Sequence, residues 1–293
     1  MSWRPSATGW AMPRPPEPDD LRARGRWPPP PGPRAAIVGS RRPSPYGEAV
    51  AERLASDLAA AGAVVVSGLA LGVDAAAHEG ALAVGGCTIA VLGTGVDIVY
   101  PTSNADLAAR ILERGGALVS QFPDGTPPQR ANFPRRNWAI AALSDVVVVV
   151  EAAEGSGALI TAEAALALSR EVMAVPGSVF SPLSVGCHQL IRDGAGLVQN
   201  ARDVLAVLGA TQEVLDDPLR PPTSLGVAAP GGGRDALLKH LSDVLPIEPG
   251  ALARKLGLPL PEVLARLTAL EMAGEARRSG ASYVRLTSRI GRA

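Results

Sequence analysis

The run Asn132-Phe133-Pro134-Arg135-Arg136-Asn137 sets an aromatic ring, two guanidinium groups and two amides within six residues, just ahead of the valine run Val146 to Val150. Guanidinium groups hold phosphates, an aromatic ring stacks a base whatever its identity, and amides bond base edges or backbone. These are the parts of a groove for a single nucleic-acid strand. From Gly125 to Ser144 the chain carries three arginines, Arg130, Arg135 and Arg136, and no acid. Two arginines standing alone would be read as a solvated loop face, and Phe133 as core. Beside one another they favour the binding reading, with Asn132 to Asn137 expected in a proline-rich loop and a helix behind it from Asn137 to Leu143.

A second set of groups follows the apolar runs. Gly39-Ser40-Arg41-Arg42, Ser67-Gly68-Leu69-Ala70-Leu71-Gly72-Val73-Asp74, Gly93-Thr94-Gly95-Val96-Asp97 and Gly155-Ser156-Gly157 each leave a strand-like run, the last after Glu151 and before a helix holding Thr161. Glycine lets backbone N–H groups approach an anion closely, and a helix N-terminus adds a favourable dipole. One such turn is ordinary structure; four on one sheet edge describe a phosphate-binding crevice. The first turn lacks G-x-G-x-x-G, and Gly93-Thr94-Gly95 runs into Tyr100-Pro101 instead of a helix, which argues against a dinucleotide. No Ser-His-Asp or Cys-His set stands out, and Asp74 with His78 is read as fixing a local turn. The only lysines, Lys239 and Lys255, do not follow glycines as a P-loop requires. His78, His188 and His240 lack ligand spacing, and Cys87 and Cys187 read as buried free thiols. Neither a metal nor a cofactor is expected.

The elements that must position these groups are legible as strands over Ala35–Val38, Ala63–Val66, Thr88–Leu92, Ala117–Val119, Val146–Val150 and Val172–Val175. Helices are expected near Tyr46–Ala61, Ala75–Val84, Asn104–Arg114, Ala158–Ser169 and Asp203–Leu208. Unbroken apolar strands alternating with helices predict an α/β fold, an extended Rossmann-like parallel sheet with helices on both faces. At 293 residues and 47% apolar, the chain has ample material for a core. The middle region, 35–208, carries eleven basic and sixteen acidic groups, so nucleic-acid binding there must use a local patch and not bulk charge.

Residues 1–34, rich in proline and arginine, read as a flexible arm, and 211–233 as a linker. Between them lies a domain over 35–210. Beyond the linker, 234–293 reads as helices near Asp235–Leu245, Pro249–Leu256 and Pro261–Ala273 and a hairpin of Glu275–Arg278 with Tyr283–Leu286, a small winged-helix-like domain. No apolar run approaches the roughly 20 residues that cross a bilayer, and a cytoplasmic protein without membrane insertion is expected.

Taken in order, the strings Gly39-Ser40-Arg41, Ser67 to Asp74 with His78, Gly93 to Pro101, Asn132 to Asn137, Gly155 to Thr161, and Val175-Pro176-Gly177-Ser178 with Gly186 to Ile191 resemble the DNA-processing protein A family (DprA, also called Smf). The resemblance spans residues 35–208. It implies a homodimeric single-stranded DNA binder that protects incoming strands during natural transformation and competence and helps load the recombinase RecA. By motif, the family's DNA pocket maps onto Gly39, Ser40 and Arg41 and onto Phe133, Arg135, Arg136 and Asn137. The chain departs from the family pattern at Trp138, where an arginine is expected and an indole could offer a stacking surface, and at Gln121, where an acid is common. Where family members often carry a small helical domain before the sheet, 1–34 is expected to be only an arm.

The leading expectation is therefore a non-catalytic DNA-recombination mediator whose strand contacts are Gly39, Ser40, Arg41, Ser67, Gly68, Asn132, Phe133, Arg135, Arg136, Asn137, Gly155, Ser156, Gly157 and Thr161. The alternative is a nucleoside monophosphate phosphoribohydrolase, for which Glu151, the Gly155-Ser156-Gly157 loop, Thr161 and Glu163 would form the loop and acid. A winged-helix transcription factor is a third reading. The would-be recognition helix sets Arg266 against Glu262 and Glu271, a poor surface for phosphates, so that domain is expected to contact protein or support a dimer.

Overall fold

The structure, a computed structural model, describes residues 16, 20–209, 241, 247–272, 276–279 and 282–285. The chain divides into two compact units, Met1–Pro222 and Thr223–Ala293. The strands of the first unit are β1 (Arg22–Gly25), β2 (Arg34–Val38), β3 (Val64–Ser67), β4 (Thr88–Val91), β5 (Ala117–Ser120), β6 (Val146–Val149), β7 (Glu171–Ala174) and β8 (Gly196–Leu197). Its helices are α1 (Pro45–Ala60), α2 (Val73–Ala83), α3 (Ala105–Glu113), α4 (Asn132–Ala142), α5 (Gly157–Ala167), α6 (Val185–Arg192) and α7 (Ala201–Val207).

The strands form one sheet in the order β1-β5-β4-β3-β2-β6-β7-β8, parallel throughout except for β1, which runs antiparallel to β5. Side chains alternate across a strand, so a sheet covered on both faces must be apolar at every position. The valines of β6 show the division. Val147 and Val149 face a cluster with Ile140 of α4, Ala162 of α5 and Cys187 of α6. Val146 and Val148 face Leu54 and Leu58 of α1, Ala77 of α2 and Val204 of α7. Toward the β5 side, Ala90 and Leu118 meet Leu107 and Ile111 of α3. Ser44 caps α1, its hydroxyl accepting from the Gly47 N–H at 3.2 Å, with Pro45 at the first helical position where a missing N–H costs nothing. Cys87 and Cys187 are both free thiols. Burial pushes the Cys187 thiol up to about 12.

Two expectations need correction. The reading of 1–34 as a flexible arm does not hold for its last part: β1 pairs with β5 over Arg22↔Ser120 to Gly25↔Ala117, Leu21 is buried and Trp27 packs on the core. The pairing is supplied by β5, and local composition cannot reveal it. The expected sheet of parallel strands, β2 to β8, thereby gains one antiparallel edge strand. Segment 132–137 is the first half of α4 and not a loop, because Pro134 falls in the first turn, where proline is tolerated. Trp138, on the same helix, is half-buried and packs part of its indole against the core.

In the second unit α8 (Pro249–Leu256) and α9 (Leu260–Met272) precede an antiparallel hairpin of β9 (Ala276–Ser279) and β10 (Ser282–Arg285). Leu252, Val263, Leu267 and Tyr283 are buried together. On α9, Arg266 is paired with Glu262 one turn away and is not presented as a free cation. The expected helix Asp235–Leu245 and the linker 211–233 lie outside the described residues, apart from Leu241. Among the described residues no helix is long and apolar enough to cross a membrane, and no cluster of three His, Cys, Asp or Glu is placed to hold a metal.

Candidate nucleic-acid interface

The strand order reverses between β2 and β6: the chain builds outward from β2 through β3, β4 and β5, then returns to β6 on the other side. Loops leaving the carboxyl ends of those two strands must splay apart, and a crevice opens there. It is a cleft of about 390 Å³ lined by Gly39 and Arg41 after β2, Asp74 of α2, Arg136 and Asn137 of α4, and Ser156, Gly157 and Thr161 at the start of α5. Ser156 caps α5, accepting weakly from the Ala158 N–H at 3.4 Å, and Gly155 before it has φ 70°, a conformation that favours glycine.

Helical phase sorts the groups of Asn132 to Asn137. Positions four apart share a face, so Asn132, Arg136 and Ile140 turn inward, whereas Arg135, one residue and about 100° round the axis, is exposed. Arg136 is 4% exposed. Its Nη1 donates to the Gly68 and Val91 carbonyls, the latter at 2.8 Å, and its Nε donates to Asn137 Oδ1 at 3.1 Å. Asn137 Nδ2 in turn donates to the Gly157 carbonyl at 2.9 Å, tying α4 to the mouth of α5. Asp74 is buried next to this guanidinium. Burial raises its carboxyl above the usual range, and Arg136 and the Ala70 N–H oppose that rise. Burial lowers the Arg136 guanidinium, with Asp74 opposing and Arg41 reinforcing. Gly68 is wedged between the two: a Cβ there would collide with the Arg136 guanidinium and the Asp74 carboxylate.

Phe133 is the outer counterpart. Its ring lies over Gly93, where a Cβ would come within 3.0 Å of Cδ1. Arg41 Cζ sits 5.2 Å from the ring centroid, and the Tyr100 ring lies at 5.9 Å, tilted by 41°. Arg135 Cζ stands 5.2 Å from the buried Phe122 ring. Cation, ring and ring therefore form a row beside the cleft, the arrangement that takes phosphate and base together.

Not every expected residue reaches this surface. Ser67 is fully buried and its hydroxyl donates to the Ile37 carbonyl at 2.6 Å. Gly68 is covered by Arg136. Asn132 is buried, with Nδ2 unpartnered among the described residues. Ser40 closes its own turn, its hydroxyl accepting from Arg42 N–H at 3.1 Å and its carbonyl from Val73 N–H at 3.1 Å. Tyr100 was not among the expected contacts, although it is the next aromatic after the Gly93 turn and is 45% exposed. Asp74 and His78, one turn apart on α2, have separate partners: Asp74 accepts from the Ala70 N–H at 3.3 Å, and His78 meets Thr88. Thr88 donates its hydroxyl proton to the Val65 carbonyl at 2.9 Å, so His78 Nδ1 must be the donor in its 2.7 Å contact with Thr88, leaving Nε2 without a proton. Burial pushes the His78 ring down to about 3.

The acids of the hydrolase reading are otherwise occupied or misplaced. Glu151 Oε2 accepts from the Ser44 N–H at 2.8 Å and Oε1 from the Ser44 hydroxyl at 2.5 Å, fixing the start of α1. Glu163 is half-buried on α5 and is absent from the cleft lining.

Residues 11–209 match the family described as DNA recombination-mediator protein A, and residues 221–281 match the DprA winged helix domain. The chain is 44% identical over 256 residues to Protein Smf of Escherichia coli, covering 86% of this chain and 67% of that protein. It is 42% identical over 244 residues to the putative DNA processing protein DprA of Mycobacterium tuberculosis, covering 82% and 61%. It thus spans about three fifths to two thirds of those relatives' lengths. Among solved structures, DNA processing protein A of Streptococcus pneumoniae superposes with a TM-score of 0.56 at 45% identity, over 60% of this chain and 61% of that one. DNA processing protein A of Helicobacter pylori, described for its single-stranded DNA binding mode, gives 0.57 at 32% identity, over 64% and 86%.

Proposed function

This chain belongs to the DNA recombination-mediator protein A family, and from that premise we propose that it binds single-stranded DNA across the carboxyl edge of its sheet and passes it to RecA during natural transformation. The observation that carries the reading is the row of Arg41, Phe133 and Tyr100 beside the cleft at the β2/β6 switch point. Arg41 and Arg135 take phosphates, Phe133 and Tyr100 stack bases, and the turns Gly39-Ser40 and Gly155-Ser156-Gly157 with Thr161 receive a phosphate in the cleft. The buried members, Ser67, Gly68, Asn132, Arg136 and Asn137, hold that surface in place. The related Helicobacter pylori protein, described as binding single-stranded DNA, supports the ligand.

We infer a non-catalytic, cytoplasmic homodimer on the same family grounds, with the C-terminal domain contacting protein and not reading sequence. The hydrolase alternative is not favoured, since Glu151 is committed to Ser44.

The test is fluorescence anisotropy of a labelled oligothymidine, as single strand and as duplex, at two salt concentrations. Salt-sensitive binding of the single strand in preference to the duplex is expected, because unstacked bases are needed for the aromatic row. Equal affinity for the duplex, or release of free base from nucleoside monophosphates, would overturn the reading.

A further inference from the structure

The edge strand β1 reads Arg22-Ala23-Arg24-Gly25 and is followed by Arg26; every one of these residues is exposed. Alternate residues of a strand share a face and lie about 6 to 7 Å apart. Arg22 and Arg24 therefore form a row of guanidinium groups, and Arg26 follows where the Arg26 N–H still bonds the Gly116 carbonyl at 3.0 Å. Arg22 makes only a long contact with the exposed Asp124, at 3.9 Å, and Arg24 and Arg26 have no ion-pair partner among the described residues.

The register says where the row begins. Arg22 stands opposite Ser120, the last residue of β5, and so at the same sheet edge as the crevice. Two residues beyond Ser120 is Phe122, under Arg135. Arg24 lies opposite Leu118, one step down the sheet, and Gly25 opposite Ala117 at its foot. The cations thus run on from Arg41 and Phe133 through Arg135 to Arg22, and then descend the open flank of β1.

We propose that this flank is a second contact segment for the same single strand, in which Arg22, Arg24 and Arg26 hold successive phosphates of the stretch that leaves the crevice past Arg135. The inference rests on the reading of the crevice as a single-strand site. Its occupant is the sugar-phosphate backbone of an extended strand, which matches the row in charge and in having one repeating anion per step; no base contact is invoked. The competing role for charge on an edge strand is to keep it from pairing with other chains.

The experiment compares oligothymidines of about six and about twenty nucleotides, the shorter sized to one binding site of a few nucleotides and the longer overrunning it. The full chain and the triple variant R22Q/R24Q/R26Q are titrated at several salt concentrations. The long oligonucleotide should bind the variant roughly tenfold or more weakly, with the log–log salt slope reduced by about 2, three phosphates at about 0.7 each. The short one should bind both proteins alike. R24E/R26E, which keeps the edge charged against self-association, should weaken the long oligonucleotide further still. Unchanged affinity and slope for the long oligonucleotide in both variants would overturn the proposal and leave edge protection as the role of the arginines. Failure of the unsubstituted chain to bind either length would instead sink the reading of the crevice, and this inference with it.

Discussion

Arg135 and Arg136 are neighbours in sequence, and replacing them should produce two unrelated phenotypes. In Arg136→Met the side chain keeps its bulk but loses the guanidinium that donates to the Gly68 and Val91 carbonyls and to Asn137 Oδ1. Those acceptors are left buried, and Asp74 loses its nearest cation. Removing one member of a buried charge pair costs about 3 to 5 kcal/mol. For a folded unit of this size that corresponds to a melting temperature lower by about 6 to 20 °C. Arg135→Ala removes an exposed cation whose one ring contact is worth about 0.5 to 1 kcal/mol, a loss of a few degrees at most. The assay is thermal unfolding followed by circular dichroism, paired with oligothymidine anisotropy at a temperature where both variants are folded. Arg135→Ala should lose affinity and salt dependence while remaining stable. The sign with pH is also fixed. Burial holds the Asp74 carboxyl above its ordinary 3.8, so the folded chain favours the protonated form and the penalty of ionising it grows as pH rises through the folded value. With its counter-charge gone, the Arg136→Met deficit should be greater near pH 8 than near pH 5, and adding Asp74→Asn should restore part of the loss. Equal melting temperatures for the two single variants, or a double variant no better than Arg136→Met, would refute the buried-latch account.

Phe133→Ala should weaken single-strand binding by about 1 to 3 kcal/mol, whereas Phe133→Trp should retain it, since stacking needs a ring and not a particular base partner; titration of both against oligothymidine decides. Glu151→Gln should lower stability by about 1 to 3 kcal/mol through weaker acceptance from the Ser44 N–H and hydroxyl, measured by urea unfolding, with single-strand affinity per folded molecule little changed. His78 is held neutral by burial, down to about 3 against an ordinary 6.5, so its contribution to stability is complete above pH 6.5 and is lost at about 1.4 kcal/mol per pH unit on the way down. Urea midpoints between pH 7 and 5 should fall more steeply for the unsubstituted chain than for His78→Leu.

The parallel strands were legible because each is a short apolar run between glycine-rich turns, and both faces of the sheet demand that pattern. Val146–Val149 is the plainest case, predicted within one residue. The sheet edge where the site gathers followed from those strands by topology alone. What was not legible depended on partners distant in sequence. β1 is polar and becomes a strand only because β5 offers it an open edge. The start of α4 was obscured by prolines that signal a loop when read locally, and with the helix went its phase. Without phase, nothing in the string separates the exposed Arg135 from the buried Arg136. Tyr100 was missed for a similar reason: its ring meets Phe133 only after the turn at Gly93 brings β4 and α4 together.

The hydrogen bond from Asn137 to the Gly157 carbonyl ties α4 to the mouth of α5, and the buried Arg136 beside it ties α4 to the Gly68 and Val91 carbonyls. Phe133 and Arg135 are carried on α4, and Arg41 leans on the Phe133 ring. If a single strand binds there as proposed, the protein has little conformational entropy to lose and the ordering cost falls mainly on the nucleic acid. Affinity should accordingly follow the stiffness of the strand: runs that are already extended and unstacked are captured readily, and purine-rich runs that stack on themselves must first be pulled open.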